Sequence, residues 1–572
     1  MILFYVSNRG ITLSSSVNGA FDFSLMGTIG DVTFQNCCLG CVTPLGSLTA
    51  TGKALSFSGN VELHTSGNMN LDLSGESSSV GTANLVIDAG SSIVYLGPIG
   101  LNTALNSVSI TAGLLQTRGI GTSGGAIAIH APVRLNASQV VFDTTRSGSS
   151  GAAITVDSAI NSFASAYNSL SIVSGIGEIT LSGDLGNTSV LDSVSLASTH
   201  SFIVPNITTF QDITISAPVI LSNTPLTSFT SQNNGNITLG SVDGTSSGAQ
   251  RFTADTKGVV SLGVVGGNIP LEELVITSAS EVHVQSVTTQ GVITLTPPIL
   301  LTDSATLRSS GSLITLGSIN GISAGNQSLT VDAGSAELLF MGNIGSITPL
   351  KNLALTGSLI DLEGSLIYAL GSQSYNGPVV FAQSATFQAQ GNITFAASLD
   401  AAFAGSDLSF YMGKGDLTFA GSAGDAPFGA ISVFNASGFA AQDILAGSLK
   451  VSGGSADIAL YGDVNLSDLA GISLDGKSIQ LVGNINALYR FFRAREITSH
   501  LDFPVSLNIS DPTPRELQYI NLVHQNIGTQ SHPIEVSEDL VTGSYFRADF
   551  VGDLAHDDTI ISFADSSLRV DV

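Results

Sequence analysis

Three cysteines sit together in Cys37-Cys38-Leu39-Gly40-Cys41, and the 572-residue chain has no others. Two thiols three residues apart suit a metal clamp or a redox pair. A tetrahedral zinc site needs four ligands, however, and no partner histidine lies nearby in sequence. The segment therefore reads as small buried residues at a corner of the fold, with one vicinal or short-range disulfide left open.

Two phosphate-binding patterns also match. Gly471-Ile472-Ser473-Leu474-Asp475-Gly476-Lys477-Ser478 fits GxxxxGK[ST], and Gly119-Ile120-Gly121-Thr122-Ser123-Gly124 fits GxGxxG. Both chemistries need a helix after the glycines, so that its N-terminus and backbone N–H groups can hold the phosphate. Ile479-Gln480-Leu481-Val482 and Ala126-Ile127-Ala128-Ile129 alternate like strands instead. Lys414-Gly415-Asp416 is an integrin-type tripeptide that a turn explains. In a chain with 63 glycines such matches arise easily.

Polysaccharide lyases and hydrolases need carboxylates close together on one surface. In a coiled β architecture that means acids recurring at the period of the coil. Glu272, Glu273, Glu281 and Asp303 come nearest and do not hold register. Asp88 and Asp332 share a repeat position but lie far apart along the chain. Sugar platforms also favour exposed Trp and Tyr; here there is no Trp, and ten Tyr. We expect no enzyme: no catalytic residues, no cofactor and no metal ligands are assigned.

The elements that must position these residues repeat. Seven segments open on an apolar residue: Phe23, Leu85, Leu170, Phe252, Leu329, Leu408 and Leu449. In six, a second apolar residue follows eleven later (Phe34, Leu96, Leu181, Phe340, Phe419, Leu460); in the Phe252 copy it is Leu262, ten on. The gaps between openers approximate multiples of roughly 20, which is the size of one solenoid turn. Most gaps are near 80, suggesting a duplicated four-turn cassette. Gly391-Asn392-Ile393-Thr394-Phe395 and Gly235-Asn236-Ile237-Thr238-Leu239 alternate with period two, so they read as strands bounded by turn formers. The expected fold is an all-β parallel β-helix of about 20-residue rungs. Residues 1–485 would give roughly 23 rungs, and their narrow core would take Val, Ile, Leu and Ala more readily than large rings.

Composition shifts near Asn486. Six Arg and thirteen Asp/Glu crowd the last 87 residues, with His500, His524, His532 and His556. Residues 486–572 read as a charged C-terminal cap, final irregular rungs or a small domain, since an uncovered rung is an aggregation-prone edge. Phe491 and Phe492 would plug the rod end while Arg490, Arg493 and Arg495 stay solvated or pair with Asp502 and Glu496. The net charge of −26 argues against nucleic acid and anionic membranes. No apolar run is long enough for a transmembrane segment. Met1–Val6 is too short for a signal-peptide core, so the chain reads as a fragment of a larger exported protein.

The repeats resemble those of filamentous haemagglutinin-like and other β-strand-repeat bacterial surface adhesins. The resemblance rests on Gly342-Asn343-Ile344-Gly345 followed by Pro349-Leu350 and Leu353, with Gly97-Pro98-Ile99-Gly100 repeating the first half. It implies a right-handed parallel β-helix, export across the outer membrane and display at the bacterial cell surface. Two departures are the lack of an NPNG-type secretion motif and of a translocator barrel. The expected function is an extracellular adhesive or structural rod that contacts a receptor or glycan on host or neighbouring cells by multivalency. The alternatives are a β-helix polysaccharide-degrading enzyme or phage tailspike-like protein, and a purely structural surface layer.

Overall fold

A computed structural model describes residues 1–487 except 7–9, 28–29, 74, 165, 223–224 and 454, with residue 6 and residues 75–82 as backbone alone; beyond 487 it gives strand segments as backbone alone. The chain is an all-β parallel β-solenoid of about 21 turns, with rungs near 22 residues. It forms two compact units, Met1–His283 with Val287–Gln290, and Val284–Ser286 with Gly291–Val572.

Three strands make one turn. In the first unit one ladder climbs Phe23, Leu48, Met69, Val94 and Leu115. A second climbs Leu39, Leu63, Ile87, Ile110 and Ile129. A third climbs Ile120, Phe142, Ile172, Leu196 and Ile215. All these side chains are buried, and their strand neighbours point outward because side chains alternate with period two. Each buried Leu, Ile, Val or Phe contributes roughly 1.5–3 kcal/mol. Because each turn buries its apolar edge only on its neighbours, stability is distributed along the ladder.

The second unit obeys the same rule. One ladder runs Leu329, Leu353, Gln373, Ile393, Leu417, Phe439 and Ile458. Another runs Ile360, Val379, Leu399, Ala423 and Ile444. Parallel pairing continues at Arg490–Arg493 and Glu496–Ser499, on Ile472–Asp475 and Ser478–Leu481 respectively. The side chains of the expected cap, Phe491 and Phe492 included, lie outside the described residues.

Two expectations need correction. Large rings do fit. Tyr375 stacks on Phe395 at 4.6 Å, Phe387 on Phe410 at 5.2 Å, and Phe395, Phe419 and Phe439 follow edge-on at 5.6 and 5.5 Å. Favoured ring separations of about 4.5–7 Å include the strand spacing of about 4.8 Å, so one ring per turn forms a continuous pile. Small buried residues beside the rings leave the room: Ala385 and Ala389 flank Phe387 on its strand, and Ala441 pairs with Phe419 on the next turn. The Tyr375 hydroxyl is kept satisfied: it donates to Gln373 Oε1 at 2.8 Å, and Gln373 Nε2 donates to the Gln388 carbonyl at 2.7 Å. Burial pushes the Tyr375 pKa well above the usual phenol value.

The period is also not what the openers suggest. From Leu85 the ladder steps Val108, Ile127, Ile154 and Ile179. Four whole turns therefore end nine residues past the next opener, Leu170. Likewise four turns from Leu170 pass Val194, Ile213 and Ile237 to Val260, beyond Phe252. The spacing of ten or eleven is the step from one face to the next, and a cassette spans three and two-thirds turns. Dividing by four yields a rung that is too short and a count that is too high.

Candidate metal centre and the loop that carries it

One loop recurs in both units. A buried residue precedes a glycine at positive φ, and a buried apolar residue closes the loop. In the first unit the copies are Leu39-Gly40 to Leu45, Ile99-Gly100 to Leu105, Leu185-Gly186 to Leu191 and Val265-Gly266 to Leu271. In the second they are Ile344-Gly345 to Leu350 and Ala423-Gly424 to Phe428. Glycine is required: at Gly40 (φ 75°) a Cβ would lie 2.2 Å from the His64 carbonyl oxygen, and at Gly345 (φ 69°) 2.1 Å from that of Tyr368.

A polar residue one turn earlier caps most copies. The Val42 N–H donates to Asn18 Oδ1 at 2.9 Å and the Ile347 N–H to Asn320 Oδ1 at 2.9 Å. Asn161 accepts from Thr188 and Ser189, Asp243 from Asn268 and Ile269, and Asp400 from Asp425. These carboxylates and amides satisfy backbone donors that the sharp loop leaves outside the ladder.

The cysteines lie on the first copy. Sequence distance concealed their partners: Glu62 and His64 are one turn on, and the ladder pairs Cys38 with Glu62 and Leu39 with Leu63. Cys38 and Cys41 are joined as a disulfide, with Cα atoms 5.8 Å apart. Cys41 Sγ is 3.5 Å and Cys38 Sγ 4.0 Å from Glu62 Oε2, and His64 Nε2 is 3.7 Å from the same oxygen. One ligand atom from each of the four residues lies within 4.8 Å of the others. On the far side of the ring, His64 Nδ1 is 3.6 Å from Asp88 Oδ2. His64 Nε2 is buried and has no hydrogen-bond partner. Cys37 is separate; it is buried, and burial pushes its thiol up to about 11.

The other sequence candidates resolve into structure. The GxxxxGK[ST] match is strand, turn and strand, Ile472–Asp475 and Ser478–Leu481, and Lys477 pairs with Asp457 at 3.3 Å. The GxGxxG match spans the strand Ile120–Gly121 and leads to Ile127–His130, without a helix. Gly415 of the integrin-type tripeptide lies in the turn before the strand Asp416–Phe419. Arg251 holds Glu272 and Glu273 at 3.0 and 3.4 Å, Glu281 meets His283 at 2.7 Å, and Asp303 accepts the Ser304 N–H. Asp88 and Asp332 are equivalent: each accepts the N–H of a glycine two residues on, and each faces a base one turn earlier, His64 or Arg308.

Two surface features escaped the sequence reading. A shallow open hollow in the second unit is lined by Ser365, Ser384, Thr386, Gln388, Asp407, Ser409 and half-exposed Tyr411. Tyr411 stacks on Phe434 at 4.8 Å. Asp361 has its carboxyl pKa raised, chiefly by burial and then by Glu363 and Glu337. The hollow's residues come from different turns, and although Glu363 is two residues from Asp361, Glu337 lies on the turn before.

Scans against protein-family models, curated proteins and solved structures found no match to this chain.

Proposed function

We propose that the chain is a surface-displayed adhesive solenoid of the filamentous haemagglutinin-like type, acting outside a bacterial cell on carbohydrate carried by a host or neighbouring cell. The observation that carries this reading is the hollow at Tyr411. Its hydroxyls, amide and carboxylate offer both donors and acceptors, and half-exposed Tyr411, stacked on Phe434, adds an aromatic ring. That is the chemistry that recognises a sugar: polar groups for the hydroxyls and a ring for the C–H face. An open hollow gives weak single contacts, and repetition along a surface multiplies them. The surrounding solenoid suits presentation, since the recurring loops have one frame and differing outward residues.

A glycan array and cell-binding assay test this with the purified chain against a charge-matched solenoid. The expected result is selective glycan binding, reduced at least tenfold by Tyr411→Ala with the fold intact. Binding no better than the control, or unaffected by Tyr411→Ala and Gln388→Ala together, removes the reading. The rival, a polysaccharide-degrading enzyme, draws on the raised carboxyl of Asp361 beside Glu363 and Glu337. Sustained reducing-sugar release that Asp361→Asn abolishes would establish that rival instead.

A further inference from the structure

We propose that Cys38, Cys41, Glu62 and His64 form a zinc-type divalent metal site in the reduced chain, clipping the Gly40 loop to the next turn of the solenoid. Four donors of the right kinds converge: two cysteine sulfurs, which are thiolates once reduced and metal-bound, an imidazole and a carboxylate. Zinc with such ligands makes a tetrahedron whose edges are roughly 3.3–3.7 Å. The separations of Cys41, Cys38 and His64 from Glu62 Oε2, at 3.5, 4.0 and 3.7 Å, are already close to those edges.

Two independent observations point to a ligand. The first is His64 Nε2, a buried ring nitrogen with no hydrogen-bond partner, 3.7 Å from Glu62 Oε2. A metal ion would give that nitrogen the partner that Glu62, at 3.7 Å, is too far away to be by hydrogen bonding. The opposite nitrogen, Nδ1, faces Asp88. A carboxylate behind a ligating histidine fixes its tautomer and raises its basicity. Asp88 is itself held by the Gly90 N–H at 3.0 Å.

The second observation is the loop's repetition. At the places of Cys38, Cys41, Glu62 and His64, the Gly345 copy has Asn343, Ser346, Leu366 and Tyr368, and the Gly100 copy has Pro98, Leu101, Gly119 and Gly121. The frame therefore does not demand these residue types. In the first copy all four positions are filled by metal-binding side chains.

The disulfide and the metal are alternative states of one pair. To open the bridge a reductant (a dithiol in a cell, a phosphine in vitro) supplies two electrons. The Cys38–Cys41 bond takes them up with two protons and becomes two thiols. Metal binding then releases those protons to solvent as the thiolates form. The 5.8 Å between the Cα atoms lets both sulfurs face one ion once they part.

The test uses the full chain, reduced by a phosphine and stripped of metal, then titrated with Zn²⁺ against a chromophoric chelator. Co²⁺ serves as a spectroscopic probe of thiolate ligation and tetrahedral geometry. One equivalent of zinc and a thiolate-to-cobalt charge-transfer band are expected, and neither in the disulfide form. Cys41→Ser should abolish binding, His64→Gln and Glu62→Gln should each weaken it at least a hundredfold, and Asp88→Asn about tenfold. Cys37→Ala and the distant His283→Gln should change nothing, with circular dichroism checking the fold of every variant. Less than half an equivalent bound by the reduced chain overturns the proposal. So does equal binding by the disulfide form, or binding that His64→Gln and Glu62→Gln leave intact.

Discussion

The Gly40 and Gly345 loops are nearly the same peptide, LGCVTPL and IGSITPL, and they are built alike. Each glycine N–H donates to a carbonyl one turn earlier, Val17 at 2.7 Å or Ile319 at 2.6 Å. Each tip residue, Val42 or Ile347, is 84 % exposed. Each closing leucine N–H reaches the carbonyl of His64 or Tyr368 on the next turn. The difference lies in what surrounds the frame. Asn343 accepts the Ser365 and Leu366 N–H groups, a purely structural task, whereas Cys38 at the same position faces Glu62. The frame is thus independent of its load, and a repeated loop can carry chemistry in one copy while remaining a strut in another.

Moving the load is the strongest way to test that independence. Asn343→Cys, Ser346→Cys, Leu366→Glu and Tyr368→His together reproduce the donor set on the Gly345 loop. If the frame alone positions the donors, this variant in a Cys41→Ser background gains zinc binding at least a hundredfold above the Cys41→Ser chain. Zinc titration of the reduced protein measures it. No gain, beside normal binding by the unmodified chain, would locate the site's specificity in the Asp88 support that the Gly345 copy lacks.

Breaking the frame itself should affect both copies equally. Gly40→Ala and Gly345→Ala each force a side chain into the left-handed region and into a carbonyl 2.2 or 2.1 Å away. A cost of about 3 kcal/mol is expected for each, combining left-handed strain with displacement of the next turn. The shift in urea midpoint followed by circular dichroism reports it. A difference above about 1 kcal/mol between them would contradict the common frame.

The architecture was legible because its signal is local: period-two alternation in Gly391–Phe395 and glycine-bounded turns need no knowledge of the neighbouring turn. The recurring loop was half visible, as the Gly342–Gly345 pattern followed by Pro349-Leu350. The exact turn length was not, since the step from Phe23 to Phe34 joins two faces and sequence does not mark which face a strand occupies. The sites were hidden for a related reason. His64 is 23 residues from Cys41, and Tyr411 is 25 from Thr386, yet each is one turn away. In a solenoid the relevant neighbours lie one rung along the chain, so proximity appears only once the rung is known to about a residue.

The smallest effect concerns charge. In the first copy the carboxylates Glu62 and Asp88 flank a base, His64. On the strand Leu359–Leu362 of the second unit, burial raises the Asp361 carboxyl pKa, and the neighbouring acids Glu363 and Glu337 raise it further. Asp361 therefore holds its proton more tightly in the folded than in the unfolded chain. The Asp361 contribution to folded stability falls as pH climbs from the ordinary carboxylate range through the raised value, and levels off above it. Asp361→Asn removes that loss, so the variant should be the more stable at neutral pH, with the advantage shrinking as acid protonates the parent. Solvent screening keeps the gain below about 1 kcal/mol. Urea midpoints for both proteins at neutral and acid pH measure it. A variant less stable than the parent at neutral pH would mean that the charged carboxylate is held by a favourable contact, and the contrast between the His64 and Asp361 surroundings would fail.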